Sequence, residues 1–191
     1  MKQARYREIF TIVMAILTTE SFADVSDGFD YPVGKKYIVT PANDGDGYYN
    51  AQDFGVNYHL GEDWNGEGGG NTDKGDPVYA VSNGIVSDAG FYGRGWGNII
   101  TLHHKLPTNE CGGIVESQYA HLNSIWVSKG DKVTRGQQIG TIGNSGTKLA
   151  HLHFELRCDE KIPTTGPGYS LNTEGWLEPS EFIDAHRNFK H

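Results

Sequence analysis

Hydrophobic and polar residues alternate most clearly at the segment in which Leu152, Phe154 and Leu156 are separated by polar side chains. A period of two is that of a β-strand with one buried face, so this segment is predicted to be a strand with His151 and His153 on the same side. Elsewhere, short β-branched and aromatic runs alternate with Gly, Asn and Asp, and no long stretch has helical periodicity. The pattern predicts an all-β domain of two antiparallel sheets, with a cleft between loops on one face.

Two further elements are predicted near the ends of this domain. A short C-terminal helix covers Glu181 to Arg187 and is preceded by Pro179 and Ser180. Residues 24–50 are expected to form a leading strand and a loop, which leaves no room for a folded inhibitory domain.

A faint internal repeat suggests two similar hairpins. Lys74-Gly75-Asp76 and Lys129-Gly130-Asp131 each precede a short apolar strand, with predicted turns at Asn83-Gly84 and Arg135-Gly136. Hairpins of this kind also occur in biotin- or lipoate-carrier domains, which display a lysine at a hairpin tip. Neither predicted turn contains a lysine, so the sequence argues against a carrier.

The first residues of the chain have the pattern of a secretory signal. Three basic residues precede an apolar run from Ile9 to Leu17, and the small residues Ser21 and Ala23 follow it. The alternative, an uncleaved membrane anchor, would need about 20 apolar residues to span a bilayer. We therefore predict a signal peptide over residues 1–23, a single domain over residues 24–191, and a secreted or periplasmic protein with no membrane attachment after cleavage.

Charge narrows the classes of partner. The chain has 16 Lys and Arg against 24 Asp and Glu, a formal net charge of −8, and the predicted signal makes the remainder one unit more negative. An acidic balance argues against nucleic-acid binding and against a polycationic surface for attaching to the cell wall.

Three segments carry candidate metal ligands and catalytic groups: His59 with Asp63, then His121, then His151 with His153. Imidazole nitrogen and carboxylate oxygen are zinc ligands, and a catalytic zinc site keeps one position open for water. The glycine between the first pair argues against a helix there, so we expect a strand end that opens into a loop, with Asp63 turned back toward His59. The set of five predicts a catalytic zinc site.

Most other candidate groups are expected to be structural. A lone histidine in a β-protein is usually a structural residue, and we assign no chemistry to His103, His104, His186 or His191. The acidic turn that starts at Asp44 does not match a calcium-binding EF-hand loop, which needs glycine at its sixth position.

From Phe29 to Phe182 the chain carries, in order, the segments HLGEDW, GDPVYAVSNGIVSDAG, GRGWGNIITLHH, QYAHL, VSKGDKVTRGQQIGTIGNSG, HLHFELR and WLEP. With this order and spacing it resembles the LytM/lysostaphin-type zinc metallopeptidases, which cut peptide cross-bridges in bacterial peptidoglycan. The resemblance implies an enzyme acting on peptidoglycan peptides, and we expect the protein to be a monomer. The bond cut stays open between glycyl-glycine and D-alanyl-diaminopimelate links.

The resemblance also assigns roles to the five residues. It implies one Zn²⁺ per chain held by His59, Asp63 and His153, with His151 as the general base and His121 positioning water or stabilising the developing oxyanion. The alternative is a non-catalytic family member that regulates other wall hydrolases. Such members lack ligands or catalytic histidines, whereas all five positions are filled here.

Two segments depart from the family pattern, and both are expected to border the cleft. One is the glycine-rich loop GEGGGNTDKGD, and the other is an insertion from Lys105 to Glu116 that contains Cys111. If the strand ending at His121 pairs antiparallel with the HLHFELR strand, Cys158 points toward the turn that holds Cys111. We therefore predict a disulfide between the two cysteines of this exported chain, with two unpaired thiols as the alternative.

Overall fold

Two antiparallel sheets make up the part of the chain that the computed structural model describes, residues 24–34 and 47–189. The strands are β1 (Tyr48–Gln52), β2 (Glu62–Gly66), β3 (Pro77–Tyr79), β4 (Gly84–Phe91), β5 (Asn98–Lys105), β6 (Ile114–Leu122), β7 (Ser124–Ile125), β8 (Lys132–Val133), β9 (Gln138–Thr141), β10 (Leu152–Arg157) and β11 (Trp176–Leu177). The larger sheet has the order β1-β2-β10-β6-β5-β4-β8, with β11 beside β10, and the smaller sheet has the order β3-β9-β7. The predicted all-β class with two antiparallel sheets is confirmed.

Several predictions made from the sequence fall outside the described residues. They are the signal peptide over residues 1–23, the acidic turn from Asp44 to Asp46, and the assignment of no role to His191. Residues 24–50 were expected to form a strand followed by a loop, but residues 24–34 contain no strand, and β1 starts only at Tyr48 and runs to Gln52. Among the described residues, no helix is long and apolar enough to cross a membrane.

One buried cluster takes side chains from both sheets. Ile100, Leu102 and Phe154 of the larger sheet share it with Val78 and Ile139 of the smaller one. These residues are β-branched, aliphatic or aromatic and alternate along their strands, which is why the chain buries them on the inner faces.

The strand around residue 154 differs from its prediction in one respect. Leu152, Phe154 and Leu156 of β10 face the core, but the polar face is buried as well. That face is covered by the segment that returns to β11, where the Trp176 indole lies 5.9 Å from the Arg157 guanidinium carbon. The prediction of a single buried face is therefore wrong, because the cover comes from residues far along the chain.

The repeated segments do not form hairpins. The strands on either side of Asn83, β3 and β4, lie in different sheets, and so do β8 and β9 on either side of Arg135. The two turns instead contact each other, because the Arg135 N–H donates to Asn83 Oδ1 over 3.0 Å. Each repeat therefore carries the chain from one sheet to the other, and the predicted hairpins are wrong.

The two ends of the predicted helix are set by local contacts. Helix α1 covers Pro179–Ala185, so it starts at the proline and ends two residues before the predicted limit at Arg187. Proline fits the first helical position because it needs no hydrogen-bond donor there. At the other end His186 stacks on Phe182 at 4.1 Å and its Nδ1 donates to the Phe182 carbonyl over 2.8 Å, which caps the helix.

The predicted disulfide is present. Cys111 and Cys158 are bonded, and strands β6 and β10 pair antiparallel as the prediction required. The bond joins the insertion between β5 and β6 to the segment that covers the polar face of β10.

Candidate metal centre and its cleft

Three of the candidate ligands converge on one point. His59 Nε2 lies 3.0 Å from His153 Nδ1, and Asp63 Oδ1 lies 3.4 Å from the first nitrogen and 3.0 Å from the second. Ligand atoms of a tetrahedral zinc site lie about 3.3 Å apart when each is about 2.0–2.1 Å from the metal. The donor set and its spacing therefore fit a zinc ion, and these three residues could hold a metal.

Strand pairing explains how Asp63 reaches His153. The two residues are direct partners in the antiparallel pair of β2 and β10. Gly61 allows the approach, because a Cβ at that position would lie only 2.5 Å from the Phe154 carbonyl oxygen. Glycine is therefore required at position 61 by close packing against β10, and not by a loop conformation.

The local structure at His59 and Asp63 reverses the predicted one. His59 follows a single 3-10 turn, Val56–Tyr58, and Asp63 lies inside strand β2. The chain thus runs from a turn into a strand, not from a strand into a loop, since Trp64 and its alternating neighbours in β2 are buried. The expected proximity of Asp63 to His59 holds nevertheless.

The second nitrogen of His153 is held by a buried carboxylate. His153 Nε2 lies 2.8 Å from Glu155 Oε1, and Glu155 also accepts hydrogen bonds from Arg157 and from the Trp176 indole. Burial alone would raise the pKa of Glu155, but the hydrogen bond and the charge of His153, aided by Arg157, lower it to about 2. The carboxylate is therefore ionised and fixes the imidazole with Nδ1 toward Asp63.

His153 lies between two carboxylates. Burial favours its neutral form, but the hydrogen bonds and charges of Asp63 and Glu155 outweigh burial and raise its pKa to about 9. Without a metal ion, both ring nitrogens therefore carry protons. A metal cation at Nδ1 would replace one of them, so binding would release a proton.

The other two ligands are already in the state that a metal requires. Burial, and next the neighbouring His153, lower the pKa of His59, which keeps this imidazole neutral. Burial raises the pKa of Asp63, but the hydrogen bond from His153 and the nearby histidines hold it below its usual value.

Two more histidine rings, those of His121 and His151, lie with their centroids 4.7 Å apart beside the ligands. His121 Nδ1 lies 3.2 Å from the Ser145 carbonyl oxygen, and His151 Nδ1 lies 3.1 Å from the Leu149 carbonyl oxygen. A carbonyl can only accept, so each Nδ1 carries a proton, and the tautomer that this selects for an uncharged imidazole leaves the Nε2 lone pair able to accept. Burial, and then the adjacent histidines, lower the pKa of His121 to about 3, so its ring is neutral.

The backbone of His121 is held in an uncommon conformation. Its φ is +62°, its N–H donates to the Trp96 carbonyl over 3.2 Å, and its carbonyl accepts from the Ser145 N–H over 3.3 Å. Gly97 lies against Ser145 so closely that a Cβ there would clash with the Ser145 carbonyl oxygen. The loops around Gly97 and Ser145 thus pack against each other and jointly fix the position of His121.

The site opens into a cleft of about 430 Å³. Trp96 packs edge-on against His153 with ring centroids 5.3 Å apart. The ring centroids of Tyr169 and His59 are 5.0 Å apart. The lining residues are Asp63, Arg94, Gly95, Trp96, His121, Thr147, His151, His153, Pro167, Gly168 and Tyr169.

Neither segment that was expected to border the cleft lines it. The insertion joins β5 and β6 at the end where Lys105 pairs with Ile114, whereas His121 lies near the other end of β6. The glycine-rich loop contacts the chain just before β10, where Asn71 Oδ1 accepts from the Ala150 N–H over 2.7 Å. The loops at Trp96 and Tyr169 form the walls instead.

Sequence reasoning missed these wall residues and also Glu155 and Ser145. Glu155 had a usable signal, because it shares the alternating polar face of His151 and His153. Ser145 had no such signal, because its contact with His121 depends on two loops that meet only in the folded chain.

The histidines that were expected to be structural have partners elsewhere. His103 pairs with Glu116 over 3.0 Å, His104 is buried against Ser117, and His186 caps α1. None of the three lines the cleft.

The chain belongs to peptidase family M23, whose model matches residues 57–164, more than half of the chain. The match contains all five candidate residues and most of the cleft, but not its Pro167 to Tyr169 wall.

Comparison with individual proteins gives relatives of two kinds. Murein hydrolase activator NlpD of Salmonella dublin is 36% identical over 88 residues, which are 46% of this chain and 22% of that protein. Peptidoglycan DD-endopeptidase ShyA of Vibrio cholerae is 39% identical over 87 residues, which are 43% of this chain and 17% of that protein. The matched region is thus a small part of both relatives.

Among solved structures, the antimicrobial peptidase lysostaphin from Staphylococcus simulans shares the fold. It aligns with a TM-score of 0.53 and 27% identity, covering 73% of this chain and 50% of that chain.

Proposed function

We propose that this member of family M23 is a zinc-dependent endopeptidase that hydrolyses peptide cross-links or stem peptides of bacterial peptidoglycan. In this proposal His59, Asp63 and His153 hold one Zn²⁺, and His121 and His151 are the catalytic pair. The observation that carries it is the convergence of three ligand atoms 3.0–3.4 Å apart, beside two histidines whose Nε2 atoms are free to accept.

Zinc, when bound, lowers the pKa of water to about 7 and polarises a carbonyl oxygen. His151 takes the proton of the attacking water at Nε2, because its Nδ1 is occupied by the Leu149 carbonyl. A positioned base of this kind contributes about 10²–10⁴ in rate. His151 can then return the proton to the departing amine.

The role of His121 follows from its tautomer. With Nδ1 bound to Ser145 and the ring neutral, Nε2 accepts a hydrogen bond and does not donate one. Of the two roles implied by the resemblance, this favours orienting the water over donating to an oxyanion. His121 therefore acts as an acceptor that aims the water while His151 removes the proton.

A second candidate is a non-catalytic activator of other wall hydrolases, favoured by the similarity to NlpD, whose name describes such a protein. The filled set of five residues argues for the enzyme, because an activator has no need for a metal centre with an acceptor pair beside it. The similarity to ShyA, named an endopeptidase, supports the same choice.

The decisive experiment incubates the zinc-loaded protein with purified sacculi and identifies released fragments by mass spectrometry. We expect new amine and carboxyl ends at one type of peptide bond, and their loss in His151→Ala and His121→Ala. Stimulation of a separate murein hydrolase without any peptide cleavage by the protein itself would establish the activator instead.

We also propose that the protein works in the cell envelope or outside the cell, where peptidoglycan lies. The signal pattern over residues 1–23 and the single domain over residues 24–191 support this and remain predictions. N-terminal sequencing of the protein recovered from the periplasm or medium tests both, and we expect it to begin at Asp24.

A further inference from the structure

The cleft contains one Lys or Arg side chain among its described lining residues, Arg94. Arg94 is exposed and forms no hydrogen bond or ion pair with any residue of the described part of the chain. Its charge is therefore available to a ligand in the cleft.

The loop that carries Arg94 is held in place by backbone hydrogen bonds. The Tyr92 N–H donates to the Gly97 carbonyl over 2.7 Å, and the Gly97 N–H donates to the Gly93 carbonyl over 2.9 Å. The Asn98 N–H donates to Ser145 Oγ over 2.9 Å. The base of Arg94 is thus fixed relative to the loop that anchors His121, and only its side chain has to be ordered by a ligand.

Among the described lining residues, negative charge is found only at the candidate metal centre. Asp63 is the one carboxylate among the lining residues, and it is engaged with His59 and His153. A carboxylate on a bound peptide would meet Arg94 without a competing acid beside it. Guanidinium groups bind carboxylates through two parallel N–H donors, which gives both affinity and orientation.

Resting on the proposed function, we infer that Arg94 binds a free carboxylate next to the scissile bond, and so selects peptides in which the departing amine carries that group. A D-alanyl-diaminopimelate cross-link has this feature, because the carbon beside the scissile nitrogen carries a free carboxylate. A glycyl-glycine bond inside a bridge has none. The cleft is therefore that of an enzyme for diaminopimelate cross-links.

Three synthetic substrates test this inference: a D-alanyl-diaminopimelate cross-linked peptide dimer, the same dimer with that carboxylate amidated, and a pentaglycine-bridged dimer. Binding is measured by calorimetry in a His151→Ala background, and hydrolysis by mass spectrometry with otherwise unchanged protein. We expect Arg94→Gln to weaken binding of the free-carboxylate dimer about 10- to 100-fold, the usual loss for a charged hydrogen-bond partner, and to leave the amidated dimer unaffected. Lys132→Gln, which removes the same charge at an exposed position of strand β8, should change neither.

The two measurements separate the inference from the proposed function. If the free-carboxylate dimer binds through Arg94 but no substrate is cut, the inference stands and the endopeptidase proposal fails. Cleavage with equal preference for free and amidated dimers, unchanged by Arg94→Gln, overturns the inference and leaves the endopeptidase. Preference for the pentaglycine dimer also overturns it.

Discussion

His153 Nε2 is hydrogen-bonded to Glu155 Oε1 over 2.8 Å, and both side chains lie on the same face of strand β10. A candidate metal ligand is thus paired with an ionised buried carboxylate two residues further along the chain. Glu155 is in turn bound by Arg157, whose guanidinium also reaches Glu116 over 3.2 Å. This buried line of charges leads from the candidate metal centre along the polar face of β10. It explains why a strand with one apolar face can bury the other.

Glu155→Gln is expected to lower zinc affinity by about 10- to 100-fold, because loss of the carboxylate weakens both the orientation and the basicity of His153. Competition with a chromophoric chelator measures the affinity. Glu62→Gln is the matched control. Glu62 is also a buried carboxylate, but it accepts from the Ser180 N–H in the first turn of helix α1. Equal zinc affinity in the two variants would show that the pair with His153 does not support the metal.

The two histidines of the β10 segment should separate by metal content. His153→Ala removes a ligand atom at the convergence point, so we expect it to lose stoichiometric zinc. His151→Ala removes a half-buried imidazole beside the three candidate ligands and should keep zinc while losing most turnover. Metal analysis of both purified proteins checks this, and the reverse pattern of zinc contents would exchange the two roles.

The sequence predicted those features of the fold that depend on local alternation. The Leu152, Phe154 and Leu156 pattern identified β10 because a pleated strand places every second side chain on one face. The cover over its other face could not be predicted, since Trp176 reaches Glu155 only after a long excursion of the chain. The residue types and their spacing gave all five candidate site residues, and the resemblance gave their roles, but neither identified the residues that support them.

Gly97→Ala should lower kcat while zinc is retained. An added Cβ would clash with the Ser145 carbonyl that holds His121 Nδ1, and would also be strained at a φ of +65°. Gly93→Ala controls for the strain alone, because its φ is +76° and a Cβ there meets nothing within 4 Å. Steady-state kinetics with parallel zinc analysis should show a larger loss for Gly97→Ala; equal losses would mean that backbone strain, not His121 placement, matters.

Breaking the Cys111–Cys158 disulfide should reduce the free energy of unfolding by about 2–5 kcal/mol. The bond restrains the segment that covers Glu155 and Arg157, so its loss frees chain in the unfolded state and loosens that cover. Denaturant unfolding with and without reductant measures the change. The Cys111→Ser/Cys158→Ser protein should already be at the lower stability and respond no further to reductant, and titratable thiols in the untreated protein would contradict the prediction.

His104 should make stability depend on pH in the acid range. Its ring is fully buried, with Nδ1 donating to the Asn83 carbonyl over 2.9 Å and Nε2 lying 2.7 Å from Ser117 Oγ. Burial lowers its pKa from 6.5 to about 4. As pH falls, the unfolded chain therefore binds a proton first, so the stability contributed by neutral His104 is complete above pH 6.5 and is lost as pH falls toward about 4.

Denaturant unfolding between pH 4 and pH 7, with chelator present so that metal release does not contribute, measures this loss. A shift of this size corresponds to a change on the order of 2–3 kcal/mol. The loss should be smaller by this amount in His104→Gln, where the neutral buried rings of His59 and His121 still contribute a slope of the same sign. His103→Gln is a control of opposite sign, because the hydrogen bond to Glu116 raises the pKa of His103, whose contribution is complete below its unfolded pKa and is lost as pH rises. If His104→Gln keeps the acid slope of the unchanged protein, another buried group must be responsible for it.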